Sequence, residues 1–230
     1  MTSLLTAHPL VPGGAEQYRE WCAELRERRD EFERSRRAVG IDRFQVWSQP
    51  AVGLAVVRLD GDDPLAALER LEASTAAFDR WYREREMALH GVSLREVAAV
   101  PAELVADHDH APVDPFDPYM AMAVPLLPGR TDDFVAMMRH GVATGDGPAH
   151  ARGWGVNRLT VHVQRVGDRD VVLYEVSGDL PRMVREVAGV DSPAMRIERR
   201  LFRDHFGIDL AAGEMPLPEP AFAWTAPPGA

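Results

Sequence analysis

An α+β fold built from two tandem copies of one unit is predicted from three observations. Four landmarks recur in the same order at a nearly constant offset of about 116 residues. Within each copy the apolar period alternates between two and 3.6, in the order strand, helix, strand, strand, helix. The 230 residues and 46% hydrophobic content are enough for two small cores.

The landmarks are specific. Pro9-Leu10-Val11-Pro12-Gly13 returns as Pro125-Leu126-Leu127-Pro128-Gly129, each followed by an aromatic, Tyr18 or Phe134. Gly40-Ile41-Asp42-Arg43-Phe44 returns as Gly155-Val156-Asn157-Arg158-Leu159, and Gly61-Asp62-Asp63-Pro64 as Gly178-Asp179-Leu180-Pro181. His90-Gly91-Val92-Ser93-Leu94 matches Phe206-Gly207-Ile208-Asp209-Leu210. Shared landmarks at one offset are the signature of an internal repeat.

In the first copy, residues 3–10 and 41–49 alternate as strands, as does the apolar run 52–59. Tyr18, Trp21, Cys22, Leu25 and Phe32 stripe one long helix. Asp63 caps a second helix with Pro64 in its first turn, and Phe78, Trp81, Tyr82, Met87 and Leu89 mark a third. The second copy predicts strands over 119–127, 156–164 and 170–176, with helices from Thr131, from Pro181 and over 193–206. With a closing strand, each copy has the split βαβ order of ferredoxin-like folds. The organisation read from the chain is repeat 1 over 1–100, a linker over 101–117 rich in Pro, Asp and His, repeat 2 over 118–210, and a Pro-rich tail over 211–230, docked through Phe222 and Trp224.

Composition removes several chemistries. The formal net charge of -10 disfavours nucleic-acid or anionic-membrane partners. The Arg-rich run 26–37 is interleaved with Glu and Asp and reads as a solvated helix face. All 26 cationic side chains are Arg, which excludes Schiff-base and pyridoxal chemistry and phosphate loops that need a Lys. Cys22 alone forms no intrachain disulfide and sits on an apolar stripe, as a core residue. The N-terminal residues have neither a basic start nor a long apolar run, and no stretch reaches membrane-spanning length, so a cytoplasmic location is expected.

Strand alternation divides residues between faces. Ile41, Phe44, Val46, Ala55, Val57 and Leu59 form the helix-covered set of the first copy, leaving Arg43, Gln45, Trp47 and Gln49 opposite. In the second, Leu159, Val161 and Val163 face the helices, and Arg158, Thr160, His162 and Gln164 share the other side. First strands add His8 and Thr6 to the polar side, and third strands add Arg58 and Glu175. If two such polar faces are enclosed, their groups need partners, because each buried unpaired group costs about 1 to 3 kcal/mol. A polar-lined cavity with aromatics is what a small-molecule site requires.

The turns PGGAEQYREW and PGRTDDFVAM, the strands GIDRFQVW and GVNRLTVH, and the helices FDRWYREREMALHGVSL and MRIERRLFRDHFGIDL together resemble the dimeric α+β barrel superfamily, in a tandem form. That resemblance implies an intrachain pseudo-dimeric barrel with helices outside and a central pocket. It implies activities such as cofactor-free antibiotic-biosynthesis monooxygenation, polyketide cyclisation and mutarotation, or haem binding. The terminal segments also resemble an uncharacterised actinobacterial group. The superfamily shares no catalytic motif, so no residue role transfers from it.

On residue chemistry, His162 is the candidate acid or base, because a near-neutral imidazole moves protons without help. Trp47 is its counterpart and a stacking wall. Gln45, Gln49, Gln164, Arg158 and Thr160 are candidate substrate contacts that hold carbonyl or enolate oxygens, and His8 is a further one. Asp107-His108-Asp109-His110 lacks the fixed geometry of a metal site and reads as solvated linker. Asn157 and Trp154 have the residue types that cofactor-free monooxygenases use, without a specific motif. The expectation is a cofactor-independent cyclase or isomerase acting by proton transfer on a polar aromatic or polyketide-like molecule, with no metal. The alternatives are a monooxygenase of the same fold and a non-catalytic small-molecule or haem-binding protein. A homodimer is a further possibility.

Overall fold

A computed structural model describes residues 2–109, 119–145, 155–189, 193–213 and 217–227. The chain divides into two compact units, Met1–Pro101 with Pro218–Ala230, and Ala102–Leu217. Each is α+β with a four-stranded antiparallel sheet.

Unit 1 contains β1 (Thr2–Pro9), α1 (Gly14–Glu27), α2 (Arg29–Val39), β2 (Ile41–Gln49), β3 (Leu54–Gly61), α3 (Pro64–Ala73), α4 (Ala77–His90) and α5 (Leu94–Ala98). Unit 2 contains β4 (Glu103–Asp109), β5 (Tyr119–Pro125), α6 (Thr131–Thr144), β6 (Val156–Val166), β7 (Arg169–Gly178), α7 (Leu180–Gly189) and α8 (Pro193–Phe206). β8 (Glu219–Thr225) returns to unit 1, so the sheet orders are β1-β3-β2-β8 and β4-β6-β7-β5. The strand that follows the first repeat's helices therefore completes the second repeat's sheet, and the strand that follows the second repeat completes the first. Glu103–Asp109, expected as linker, is a ladder strand, and its Asp107 pairs with Thr160. The tail also forms a strand, with Phe222 and Trp224 buried.

The repeat extends to hydrogen bonds. Val11 N donates to Leu89 O at 2.9 Å, and Leu127 N donates to His205 O at 2.8 Å. A bulge at Asp42 lets Ile41 share a face with Phe44 despite their odd spacing, and a bulge at Asn157 does the same for Val156 and Leu159.

The two cores lie between sheet and helices. In unit 1, Tyr18, Trp21, Phe32 and Tyr82 pack on Phe44, Val57 and their neighbours. In unit 2, Phe134, Phe202 and Phe206 pack on Val124, Val161 and Tyr174. The single long helix expected over the Tyr18–Phe32 stripe is two helices broken at Arg28, whose guanidinium lies 4.1 Å from the Trp81 ring centroid. Arg36 corrects the solvated-face reading of the Arg-rich run. It is 0% exposed and lies 4.1 Å over Tyr82 and 4.8 Å over Phe32, so ring faces stabilise its charge. Cys22 is buried as expected, and burial pushes its thiol up to about 12.

Candidate functional site

The face of the unit 2 sheet that points away from the helices carries a connected set of polar groups. Antiparallel register puts Thr160 opposite Glu175 and Asp107, His162 opposite Leu173 and Leu104, and Arg158 opposite Ser177. Directly paired residues share a face, so Arg158, Thr160, His162, Gln164 and Glu175 project together. Glu175 is the centre of this set. Thr160 Oγ1 donates to its Oε2 at 2.8 Å, and the Tyr119 hydroxyl donates to Oε1 from the neighbouring strand. Arg158 approaches Asp107 at 3.8 Å.

His162 is half-buried between these charges. Burial holds its pKa below the ordinary histidine value and Arg158 pushes it the same way, against the opposing pull of Glu175 and Asp107. The imidazole is therefore neutral at pH 7. Its Nδ1 is buried and has no hydrogen-bond partner. A neutral imidazole with an unpaired nitrogen near two carboxylates can accept a proton, because those carboxylates stabilise the imidazolium that forms.

The corresponding face of the unit 1 sheet carries Arg43, Gln45, Trp47, Gln49 and Arg58. Trp47 and Gln49 are buried, at 4% and 1% exposure, and Gln45 Oε1 is buried without a partner. Arg58 donates to the buried Asp60 at 2.8 Å and to Ser3 Oγ at 3.1 Å. Ser3 and Arg58 occupy the positions that Tyr119 and Glu175 hold in unit 2, so the same cross-strand pair recurs with its charge reversed.

His8 is a correction. It pairs with Ala55, and Thr6 pairs with Val57, which places both on the helix-covered face rather than with Trp47. His8 is 0% exposed and packs against His90 with ring centroids 5.1 Å apart. Of the Asp107–His110 run, Asp107 joins the unit 2 face, and His108 is buried opposite Leu159. The His110 position and Trp154 lie outside the described residues, and Asn157 is exposed at the bulge.

Sequence reasoning missed a second group of titratable residues. His8, Glu86 and His90 each offer one ligand atom within 4.8 Å of the others, and all three are buried. The available signal was the helical i, i+4 spacing of Glu86 and His90, with apolar residues at the same places in the second repeat.

No protein-family model matches the chain, and no curated protein matches its sequence. Solved structures do resemble it. An anthrone oxidase-like protein superposes with a TM-score of 0.50 at 13% identity, over 89% of this chain and 85% of that one. A candidate monooxygenase from Fusobacterium nucleatum gives 0.46 at 10% identity over 88% and 85%, and one from Lactobacillus acidophilus gives 0.42 at 9% over 99% and 100%. At such identities the likeness concerns the fold, which matches the α+β class read from the sequence.

Proposed function

We propose that this chain is a cofactor-independent enzyme that cyclises or isomerises a polar aromatic or polyketide-like small molecule by proton transfer, with His162 as the base. The observation that carries this reading is the buried, unpartnered Nδ1 of a neutral His162, on one sheet face with Glu175, Thr160 and Arg158. His162 takes a proton from a carbon beside a carbonyl, and the electron pair moves onto the carbonyl oxygen as an enolate. Arg158 stabilises that oxygen. The imidazolium then returns the proton at another atom, or the enolate carbon attacks a second carbonyl and closes a ring. Glu175 is held in place by Tyr119 and Thr160 and favours the imidazolium in between.

The test uses a 1,3-diketone probe in deuterated water. Wild-type protein should accelerate exchange of the central C–H, and His162→Ala should lose about 100-fold to 10,000-fold of that acceleration with an unchanged circular dichroism spectrum. Full activity in His162→Ala sinks the assignment. A second reading, monooxygenation, draws on the fold likeness to the protein described as anthrone oxidase-like. Oxygen uptake with an anthrone probe would favour it, and a Soret band on adding haem would favour a binding role.

A further inference from the structure

We propose that His8, Glu86 and His90 bind one divalent transition-metal ion of the Zn²⁺ class inside the core of unit 1. The site lies on the helix-covered side of its sheet, away from Gln45 and Trp47, and goes beyond the proton-transfer reading.

Hydrogen bonding leaves bare lone pairs at this place. His90 Nδ1 sits 2.7 Å from the Pro9 carbonyl oxygen, which can only accept, so Nδ1 carries a hydrogen and Nε2 is the nitrogen left to hold an ion. That Nε2 faces Glu86 Oε2 at 3.5 Å, beyond the length of a good hydrogen bond. His8 Nε2 pairs with Thr6 Oγ1 at 2.9 Å, and its Nδ1 has no partner. Burial pushes the Glu86 carboxyl up, against the pull of His90, the Tyr82 hydroxyl and Arg36 beside it. Two imidazoles and a carboxyl group, all buried and each with an atom within 4.8 Å of the others, form a pocket of charge that protons or a metal cation must fill. Each imidazole also uses its other nitrogen on a carbonyl or hydroxyl, which is how metal-bound histidines are held in place.

The second repeat acts as an internal control. At the same offset His8, Glu86 and His90 become Val124, Phe202 and Phe206, all buried in an apolar cluster, and Thr6 becomes Met122. The fold therefore fills these positions with hydrocarbon when no ion is needed. Keeping three unpaired polar groups there is unfavourable, whereas a two-His, one-carboxylate set suits a borderline divalent ion. Arg36, stacked on Tyr82, is the nearby positive charge that the Glu86 carboxylate must also balance. Because the three side chains are closed off from solvent, the ion enters as the chain folds.

The experiment refolds the full chain from denaturant with Zn²⁺, with Co²⁺ or with chelator. The expected result is one ion per chain by elemental analysis, retained by native protein during dialysis against chelator, and a visible Co²⁺ spectrum of low coordination number. Glu86→Gln and His90→Gln should each lower ion affinity at least 100-fold. If those variants do not fold, the combined His8→Val, Glu86→Phe, His90→Phe variant, which copies the second repeat, should fold without metal and show a thermal midpoint indifferent to Zn²⁺. Wild-type protein that refolds with no bound ion overturns the proposal. So does an ion retained by the variants, which would assign it to exposed histidines elsewhere.

Discussion

A β-carbon on Gly61 would lie 2.5 Å from the Gly40 carbonyl oxygen, because Gly61 pairs with Ile41 where β2 begins its bulge. Gly178 meets Gly155 in the same way opposite Val156, where φ is also 131°. Gly61→Ala should therefore cost about 1 to 3 kcal/mol through forced displacement of backbone. Gly178→Ala should cost more, since the alanine must also adopt a left-handed φ. Urea unfolding of the two variants checks both the loss and its order.

Glu198, half-buried in α8, has its pKa raised to about 7 by desolvation. The folded state then holds a proton that the unfolded carboxyl gives up near its ordinary value of 4.5. Stability from this group is full below pH 4.5 and is lost as pH rises through about 7. Glu198→Gln, which cannot ionise, should raise the urea midpoint at pH 8 relative to wild type and leave it nearly unchanged at pH 4. A midpoint difference that does not vary with pH would contradict this.

His8 gives the opposite slope. Desolvation, with His90 adding to it, holds its pKa well below the ordinary 6.5, so the unfolded state binds the proton more readily. This contribution to stability is full above pH 6.5 and falls as pH drops below it. In metal-free protein, His8→Val should flatten the acid side of the stability profile, measured by thermal unfolding between pH 5 and 7 in chelator.

His162 and Glu175 predict a rate effect. Since the His162 pKa is lowered, the acid limb of kcat/KM for the exchange reaction should lie below pH 6.5. Glu175→Gln removes a charge that favours the imidazolium, and should move that limb further down while reducing kcat about tenfold. Steady-state rates across pH with the diketone probe test both statements.

Much of this architecture could be read from residue order. The β2 alternation in IDRFQVWSQ and the Asp63-Pro64 helix start depend on neighbours along the chain, and the observed strand and helix begin where those signals place them. Asp63 accepts from Ala66 N at 3.0 Å, the bond that defines the cap. The polar face of unit 2 was also legible, because β6 alternates without ambiguity. β4 was not: ELVADHD becomes a strand only through Val163 to Arg158, partners 49 to 60 residues further along the chain. His8 was assigned to the wrong face for a related reason. In β1 both Leu5/Ala7 and Thr6/His8 form acceptable inward sets, and only the pairing of His8 with Ala55 decides between them. The Glu86–His90 pair escaped notice because its third member lies on another element, which no local pattern connects to it.

Residues 1–101 produced alone should be poorly soluble, since β2 then presents an unpaired edge. Adding a peptide of residues 217–227 should restore solubility and the far-ultraviolet spectrum. A soluble, cooperatively folded 1–101 fragment would show that the edge is protected without β8.

Synthesis runs from the N-terminal side, so β2 is made long before β8, and Arg43 of β2 pairs with Thr225 of β8. The ribosome must add about 180 further residues before that partner exists, roughly 10 to 40 s at ordinary elongation rates. Throughout that interval β2 is an edge strand in addition to β1, available to any extended segment that meets it. The order in which the sheets are completed thus makes the nascent chain a client for whatever shields strand edges in the cell, and makes the speed of translation through the second repeat a determinant of yield.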